Sequence, residues 1–258
     1  HHFVYPYTSI EEVEAMMQTH NLKGLRWQAD GVKFMLDGVI DTGTAWLEHP
    51  DSQGAGTEPM WPELSLYHQR ARQFHDAGFR IATHAIGDRA VREVLDVYEG
   101  LPGGSNGRHR IEHIETSPDN TIARFKPLKV TASMQPVHVR WLEYDLSDPW
   151  SQRLDATQCS HGWRSGDIMS TGALVVLGSD WPVAPFDPRM GMFAAQMRRA
   201  HDVSYDGPVG KTRPLTGAET LTGYTRNAAI AVGADFERGM LAPGMMVDLV
   251  MWQEDPSK

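Results

Sequence analysis

The sequence predicts an α/β protein built around a parallel β-sheet, and residues 80–115 carry most of that prediction. Two short apolar runs, RIATH and RIEHI, each place a histidine near their C-terminal end, His84 and His113. A helical pattern over residues 88–99 and a loop rich in Gly, Ser and Asn separate the two runs. Strand, helix, loop and strand in this order indicate a βαβ unit, whose two strands run parallel.

Further apolar runs alternate with helical patterns along the chain. Ser9 and the glutamates after it mark the start of one helix, and Gly78 marks the end of another. The predicted strands are residues 32–36, 80–84, 110–115, 129–135 and 174–180, and the predicted helices are residues 9–20, 62–77, 88–99, 189–200 and 216–233. A last short strand is predicted in MMVDLVMW, residues 245–252. Five parallel strands do not close an eight-stranded barrel, so the sheet is either open or has further strands before residue 1.

Composition and charge exclude several classes of partner. The chain has 258 residues, of which 41% are hydrophobic and 22% charged, as in ordinary globular proteins. The formal net charge of −9 argues against nucleic acid or an anionic membrane as partner, because both need clustered Lys and Arg. No apolar run reaches the ~20 residues of a membrane span. The single cysteine, Cys159, excludes an internal disulfide and favours a cytoplasmic location.

Three polar residues at predicted strand ends suggest a metal centre. His84 and His113 end neighbouring strands, and Asp180 ends the run LVVLGSD. Residues at the C-terminal ends of parallel strands carry the chemistry in barrels of βαβ units. A hydrolytic metal site needs neutral imidazoles, carboxylates and an open position for water. The alternatives are a hydrogen-bonded structural role for each histidine and a helix cap or turn for Asp180.

Lys33 lies inside the predicted strand 32–36, where an ammonium group is costly unless it is paired or loses its charge. From the residues alone, an ion pair on the floor of the sheet explains it as well as a functional role. Five tryptophans are candidates for lining an apolar acyl pocket or, equally, for the core: Trp46, Trp61, Trp141, Trp163 and Trp181.

Six segments together resemble the amidohydrolase superfamily, and most closely its metal-dependent branch that includes N-substituted formamide deformylase. In chain order they are GVKFMLDG, THAIGDRAV, HRIEHIE, ASMQPVH, LGSDWPV and RGMLAPGMMVDLVMW. They span residues 32–252, and the family has them in the same order. The resemblance implies a (β/α)₈ TIM-type barrel, here about strands 4 to 8, over residues 1–235. It also implies that residues 236–258 return into a small β-sandwich.

The same resemblance implies roles for individual residues. His84 and His113 would be ligands of one metal ion, and Asp180 would be a ligand of the other ion and the general acid/base. Lys33 matches the position at which many members carry a carboxylated lysine that bridges two metals. His138 lies where the family contacts substrate, and Trp181 is a second candidate for that contact. Zinc suits His and Asp ligands best, and one or two ions are expected, although iron, manganese and nickel also suit them.

One departure from the family separates the functional alternatives. The family's first metal site begins with an HxH pair, and no HxH occurs in this chain. The expected activity is hydrolysis of a non-peptide C–N bond, in an amide or N-substituted formamide, by a metal-activated water. A related isomerase or phosphoester hydrolase is a second alternative. A third is a catalytically silent half-barrel or complementing fragment. Such a fragment is expected to pair with a second copy or with the missing N-terminal half.

Overall fold

A six-stranded, all-parallel sheet forms the centre of the computed structural model, which describes residues 1–25 and 27–255. The described residues form eight strands: β1 (His2–Val4), β2 (Leu22–Gly24), β3 (Trp27–Ala29), β4 (Gly31–Met35), β5 (Arg80–Ala85), β6 (Arg110–His113), β7 (Thr131–Met134) and β8 (Val175–Leu177). The order in the large sheet is β1-β4-β5-β6-β7-β8, and β2 and β3 form a separate antiparallel hairpin. The predicted α/β class with a parallel sheet is confirmed.

Helices connect the strands and cover one face of the sheet. They are α1 (Ile10–Met17), α2 (Leu64–Asp76), α3 (Asp88–Glu99), α4 (Asp119–Ile122), α5 (Phe125–Leu128), α6 (Pro149–Arg153), α7 (Ala156–Ser160), α8 (Ser165–Ser170), α9 (Pro188–Met197), α10 (Gly217–Tyr224) and α11 (Arg226–Ala231). Two 3₁₀ helices, Ile40–Thr42 and Pro136–Trp141, follow β4 and β7. Ser9 and Glu12 form the capping box that starts α1, and Gly78, at φ 88°, follows the end of α2.

The strand register gives the sheet an apolar face and a polar face. Val32 pairs with Ile81, and both belong to the main core between the sheet and the helices. Side chains alternate along a strand, and aligned residues of parallel neighbours share a face. Lys33, His84, Arg110, Glu112 and Ser133 therefore lie together on the opposite side, which we call the polar face.

A second hydrophobic cluster lies apart from the main core. Its members come from the segments that follow the C-terminal ends of the strands: Ile40, Ala45, Leu47, Ile86, Val139, Leu142, Trp150, Leu154, Trp163, Ala194 and Val209. We call it the mouth cluster. Arg153 joins two of these segments through a 2.6 Å ion pair with Asp51 and a hydrogen bond to the carbonyl of Asp41. Residues 139–163 contribute five members of the mouth cluster.

The structure corrects several predicted boundaries. Strand β6 ends at His113, not residue 115, because His113 and Ile114 have φ angles of 80° and 56°. The predicted strand 174–180 shortens to β8, and Asp180 lies beyond it at φ 58°. The helix predicted at 216–233 is two helices, because Thr225 leaves helical geometry at φ −121° and ψ −86°. Strand β1 and the β2–β3 hairpin were not predicted, since three-residue strands carry little periodicity.

The strand predicted at residues 245–252 does not form. Within the part of the chain that the structure describes, residues 241–252 have no partner strand, and most of their apolar side chains are exposed. The pattern MMVDLVMW has β propensity, but a strand needs a neighbour to complete its backbone hydrogen bonds. Residues 256–258, the end of the predicted return segment, lie outside the described residues. None of the helices formed by residues 1–25 and 27–255 has both the length and the apolar character of a bilayer span.

Candidate metal centre

His84 and His113 meet at the C-terminal ends of β5 and β6. Their ring centroids are 4.4 Å apart, and both residues are buried. His84 reaches this position by strand alternation. His113 follows Glu112, and simple alternation would place it on the apolar face. Its left-handed backbone breaks that alternation, and such strain in a residue other than glycine is typical of functional sites.

A hydrogen bond fixes the tautomer of His84, and one ring nitrogen of His113 has no hydrogen-bond partner among the described residues. Nε2 of His84 donates to the carbonyl of Gly38 at 2.9 Å, so Nε2 carries the proton and Nδ1 keeps its lone pair. Nδ1 of His113 is buried and has no hydrogen-bond partner among the described residues. Burial lowers the pKa of His84 to about 4. Burial, followed by the neighbouring His84, holds the pKa of His113 well below its usual range. Both rings are therefore neutral at pH 7, as metal ligands must be.

Lys33 lies on the polar face beside charged neighbours. Burial lowers the pKa of its ammonium group, and the Glu112 carboxylate partly opposes that shift. Among the residues that the structure describes, Glu112 pairs with Arg110 at 2.6 Å, and Lys33 has no direct ionic partner. Burial raises the pKa of Glu112, but Lys33 and Arg110 outweigh it and leave that pKa below its ordinary value. The sequence suggested an ion pair for Lys33. In the structure the ion pair on this face is formed by Arg110 and Glu112 instead.

Asp180 lies at the same end of the sheet but is exposed to solvent. Partial burial raises the pKa of its carboxyl group, and Lys33 acts in the opposite direction. In the described parts of the chain, no group of three or more His, Cys, Asp or Glu side chains is close enough to hold a metal ion. The structure therefore brings His84 and His113 together and does not bring Asp180 into one coordination shell with them.

The neutral histidine pair fits part of a metal site. A free lone pair on Nδ1 of His84, beside the buried neutral ring of His113 with its unpartnered Nδ1, suits zinc or a similar divalent ion. Structural and catalytic zinc sites take at least three protein ligands. A complete site here needs a ligand in addition to His84 and His113.

The two predicted substrate contacts differ in exposure. His138, in the 3₁₀ helix after β7, is 3% exposed, and its Nε2 donates to the carbonyl of Ser179 at 3.2 Å. Its ring centroid is 6.1 Å from that of His113 and 4.6 Å from that of Trp141. Burial lowers the pKa of His138 to about 4. Trp181 is 67% exposed and lies directly after Asp180.

The five candidate tryptophans divide between the core and the surface. Trp61 is fully buried in the main core, and its indole N–H donates to the carbonyl of Met35. Trp46 belongs to the main core and Trp163 to the mouth cluster. Trp141 and Trp181 are exposed, so they alone of the five remain candidates for contacting a bound molecule.

Sequence reasoning missed two buried carboxylates near the histidines. Asp37 follows β4, and burial raises its pKa to about 7 although four backbone N–H groups, one of them its own, oppose that shift. Glu115 follows β6, accepts the indole N–H of Trp150 at 2.9 Å, and has its pKa raised to about 8 by burial. Their positions in the sequence could have identified them, because each is a polar residue just past the end of an apolar strand.

Comparison with known proteins gives the family of the chain. The chain is 28% identical over 252 residues to the amidohydrolase YtcJ of Bacillus subtilis, covering 95% of this chain and 46% of that protein. It is 27% identical to N-substituted formamide deformylase of Arthrobacter pascens over 195 residues, 74% of this chain and 35% of the relative. The chain thus spans less than half the length of these curated relatives.

A solved structure agrees with the sequence relatives. A metal-dependent hydrolase from Pyrococcus horikoshii superposes with a TM-score of 0.80 at 26% identity, covering 98% of this chain and 50% of that one. The family model described as the amidohydrolase family matches residues 4–258. The chain therefore belongs to the amidohydrolase family.

Proposed function

We propose that this chain forms the C-terminal part of a metal-dependent hydrolase that cleaves non-peptide C–N bonds, in amides or N-substituted formamides. The relative from Arthrobacter pascens, named for formamide deformylation, supports that substrate class. In this proposal the six parallel strands belong to a (β/α)₈ barrel, and residues 236–258 return into a small β-sandwich. The rest of the barrel would supply the ligands that this chain does not hold.

The observation that carries the proposal is the buried pair of neutral histidines. His84 and His113 would hold a divalent metal, with zinc as the first candidate and one or two ions in total. Such a metal supplies a Lewis acid that lowers the pKa of water toward ~7. Lys33 has a pKa lowered by burial, so its amine is less often charged and better able to add CO₂. We propose that Lys33 is carboxylated and bridges two metal ions.

Asp180 is proposed as the general acid/base. Its raised pKa keeps it able both to accept a proton from water and to pass a proton to the departing nitrogen. His138, whose ring centroid is 6.1 Å from that of His113, and the exposed Trp181 are proposed as substrate contacts. The expected ligand is a small molecule, with neither nucleic acid nor a membrane as partner. The cytoplasmic location remains a prediction from the single cysteine.

The substitution D180N in the completed protein tests the proposed role. We expect kcat for amide or formamide hydrolysis to fall about 10²- to 10⁴-fold, the usual contribution of a positioned acid/base. D187N is the matched control, because Asp187 is a nearby carboxylate that caps α9 and pairs with Arg189. D187N should keep normal turnover. Normal turnover in D180N would rule out the acid/base role.

A catalytically silent half-barrel is the second candidate. The absence of an HxH pair from the sequence favours it, as does the lack of a three-ligand group among the described residues. Intact mass and metal analysis on one purified sample separate the two candidates. A mass above that of 258 residues with near-stoichiometric metal supports the hydrolase. A mass equal to this chain with little metal supports the silent fragment.

A further inference from the structure

Asp37 binds three separate parts of the chain around His84. The residue is fully buried just after β4. Its Oδ2 accepts the backbone N–H groups of Trp46 and Gly87, each at 2.9 Å. Its Oδ1 accepts the N–H of Ile86 at 3.1 Å and lies 3.6 Å from Nε2 of His84. The Asp37 carboxylate thus links the segment after β4 to the turn between β5 and α3 by hydrogen bonds. It also lies beside the edge of the His84 ring.

The neighbouring glycine completes this arrangement. The Gly38 carbonyl accepts the Nε2 proton of His84, and the Gly38 N–H donates to the carbonyl of Thr44 at 2.9 Å. A Cβ atom at Gly38 would overlap the Thr44 hydroxyl, and a Cβ at Gly87 would overlap the Trp46 carbonyl. At Gly87 the turn between β5 and α3 therefore approaches the segment after β4 as closely as glycine allows. Asp37 holds that approach in place because it accepts N–H groups from both sides.

The donors that face Asp37 suit an ionised carboxylate better than an amide. Every described group facing Asp37 within hydrogen-bond distance is a backbone N–H donor, and the Nε2–H of His84 is the next donor beyond them. An asparagine can place its oxygen toward Trp46 and Gly87. Its NH₂ group would then face the donors of Ile86 and His84, and two donors repel each other.

We propose that Asp37 is a positioning residue that holds His84 with its proton on Nε2 and its Nδ1 lone pair directed to the metal. The proposal rests on the proposed function, because the tautomer of His84 matters for metal binding only if His84 is a metal ligand. Asp37 acts through His84 and through the Gly38 carbonyl, and it does not touch the metal itself. Partners of this kind, which orient metal-ligating histidines, contribute about 10- to 100-fold to metal affinity.

The substitution D37N, with ¹⁵N NMR of the imidazole rings and Zn²⁺ titration of the full chain, tests the proposal. We expect His84 in the unsubstituted chain to show the Nε2–H tautomer. D37N should add a population of the Nδ1–H tautomer and weaken Zn²⁺ binding about 10- to 100-fold. D148N is the matched control, since Asp148 is also a buried carboxylate that accepts two backbone N–H groups, from Glu143 and Ser151. D148N should leave the His84 signals and Zn²⁺ affinity unchanged.

Each outcome decides one question. An Nδ1–H tautomer of His84 in the unsubstituted chain overturns the proposal even if D37N does not fold. Unchanged His84 signals and unchanged Zn²⁺ affinity in D37N also overturn it, while leaving the hydrolase proposal intact. A tautomer shift in D37N without Zn²⁺ binding by either protein supports the positioning of His84 by Asp37. The same result would show that His84 does not bind Zn²⁺ in this chain.

Discussion

At the scale of single residues, a second histidine pair shows how burial and hydrogen bonding determine protonation. Nδ1 of His109 accepts the N–H of Ile81 at 3.1 Å, so the proton of His109 is on Nε2. That proton is donated to Nδ1 of His75 at 2.8 Å, and Nε2 of His75 donates to the carbonyl of Pro102 at 3.0 Å. The neutral pair is consistent only with this one set of tautomers. Burial, followed by electrostatic repulsion from the neighbouring His75, Arg108 and Arg80, lowers the pKa of His109 to about 3.

This pair predicts a loss of stability in acid. The pKa of His109 is lower in the folded protein than its ordinary value of 6.5, so its contribution is complete above pH 6.5 and declines as pH falls toward 3. We expect a loss of roughly 2–3 kcal/mol from this group between pH 6.5 and 4.5, at about 1.4 kcal/mol per pH unit. H109N keeps an acceptor for Ile81 and should flatten the pH dependence by that amount.

Urea denaturation at several pH values measures the effect. H201N is the control, because His201 is largely exposed and its loss should leave the slope unchanged. If the unsubstituted chain and H109N lose stability in parallel between pH 6.5 and 4.5, His109 is not the group responsible.

The sequence predicted individual site residues unevenly. The meeting of His84 and His113 followed from their positions near strand ends. The backbone turn that brings His113 to His84 could not be predicted from the sequence, because no residue in RIEHIE indicates a φ of 80° at the histidine. Asp37 was missed, since its importance arises from contacts between the segments that follow β4 and β5, which the strand register brings together. Register depends on contacts between distant segments, so it cannot be predicted from the sequence of any one segment alone.

At the scale of elements, the packing of α9 on α10 depends on one glycine. A Cβ atom at Gly191 would overlap the hydroxyl of Tyr224, the last residue of α10. That hydroxyl is buried and has no hydrogen-bond partner among the described residues. Glycine inside a helix is otherwise unfavourable by about 1 kcal/mol relative to alanine. Its presence in α9 is therefore explained by the close approach of the two helices.

A double-mutant cycle tests this contact. G191A should destabilise the chain by about 1–3 kcal/mol through overpacking. Y224F removes an unpaired buried hydroxyl and should stabilise it by about 1 kcal/mol. In the Y224F background, G191A should become neutral or stabilising, because the overlapping atom is gone and alanine favours helix. Free energies of unfolding measure all four proteins. Equal effects of G191A in both backgrounds would show that the helices do not meet at this point.

Elements with clear local signals were predicted well, and those without were not. The bounds of α3 match the prediction at both ends, because GDRAV and a strongly amphipathic pattern define it. Strand β1 depends on pairing with β4, whose paired residues lie 30 positions further on in the chain. Residues 245–252 show the converse case, in which local β propensity is present and the neighbouring strand is not. Pairing partners supply the information that the local pattern lacks.

At the scale of the whole molecule, unpaired apolar surface predicts association. β1 and β8 form the two edges of the large sheet among the described residues. Leu249, Val250 and Met251 are 64%, 75% and 97% exposed in a segment without regular structure. Unprotected edges and apolar segments of this kind favour pairing with another chain.

Sedimentation velocity over a range of concentrations tests this prediction. The isolated chain should associate as its concentration rises, and M251K should shift it toward monomer by charging the exposed apolar segment. Q253K adds the same charge two positions away at a polar residue and serves as the control. A stable monomer at every concentration of the unsubstituted chain would contradict the prediction.

The mouth cluster implies an order of events during folding. Its polar contacts join residues far apart in sequence: Arg153 to Asp51 across 102 residues, and Arg153 to Asp41 across 112. Strands β4 to β7 pair with their successive neighbours in the chain and close shorter loops. Longer loops cost more entropy to close, so contacts across them form more slowly. The sheet that carries His84 and His113 can therefore assemble first, and the mouth cluster is completed only when the segment around Arg153 arrives.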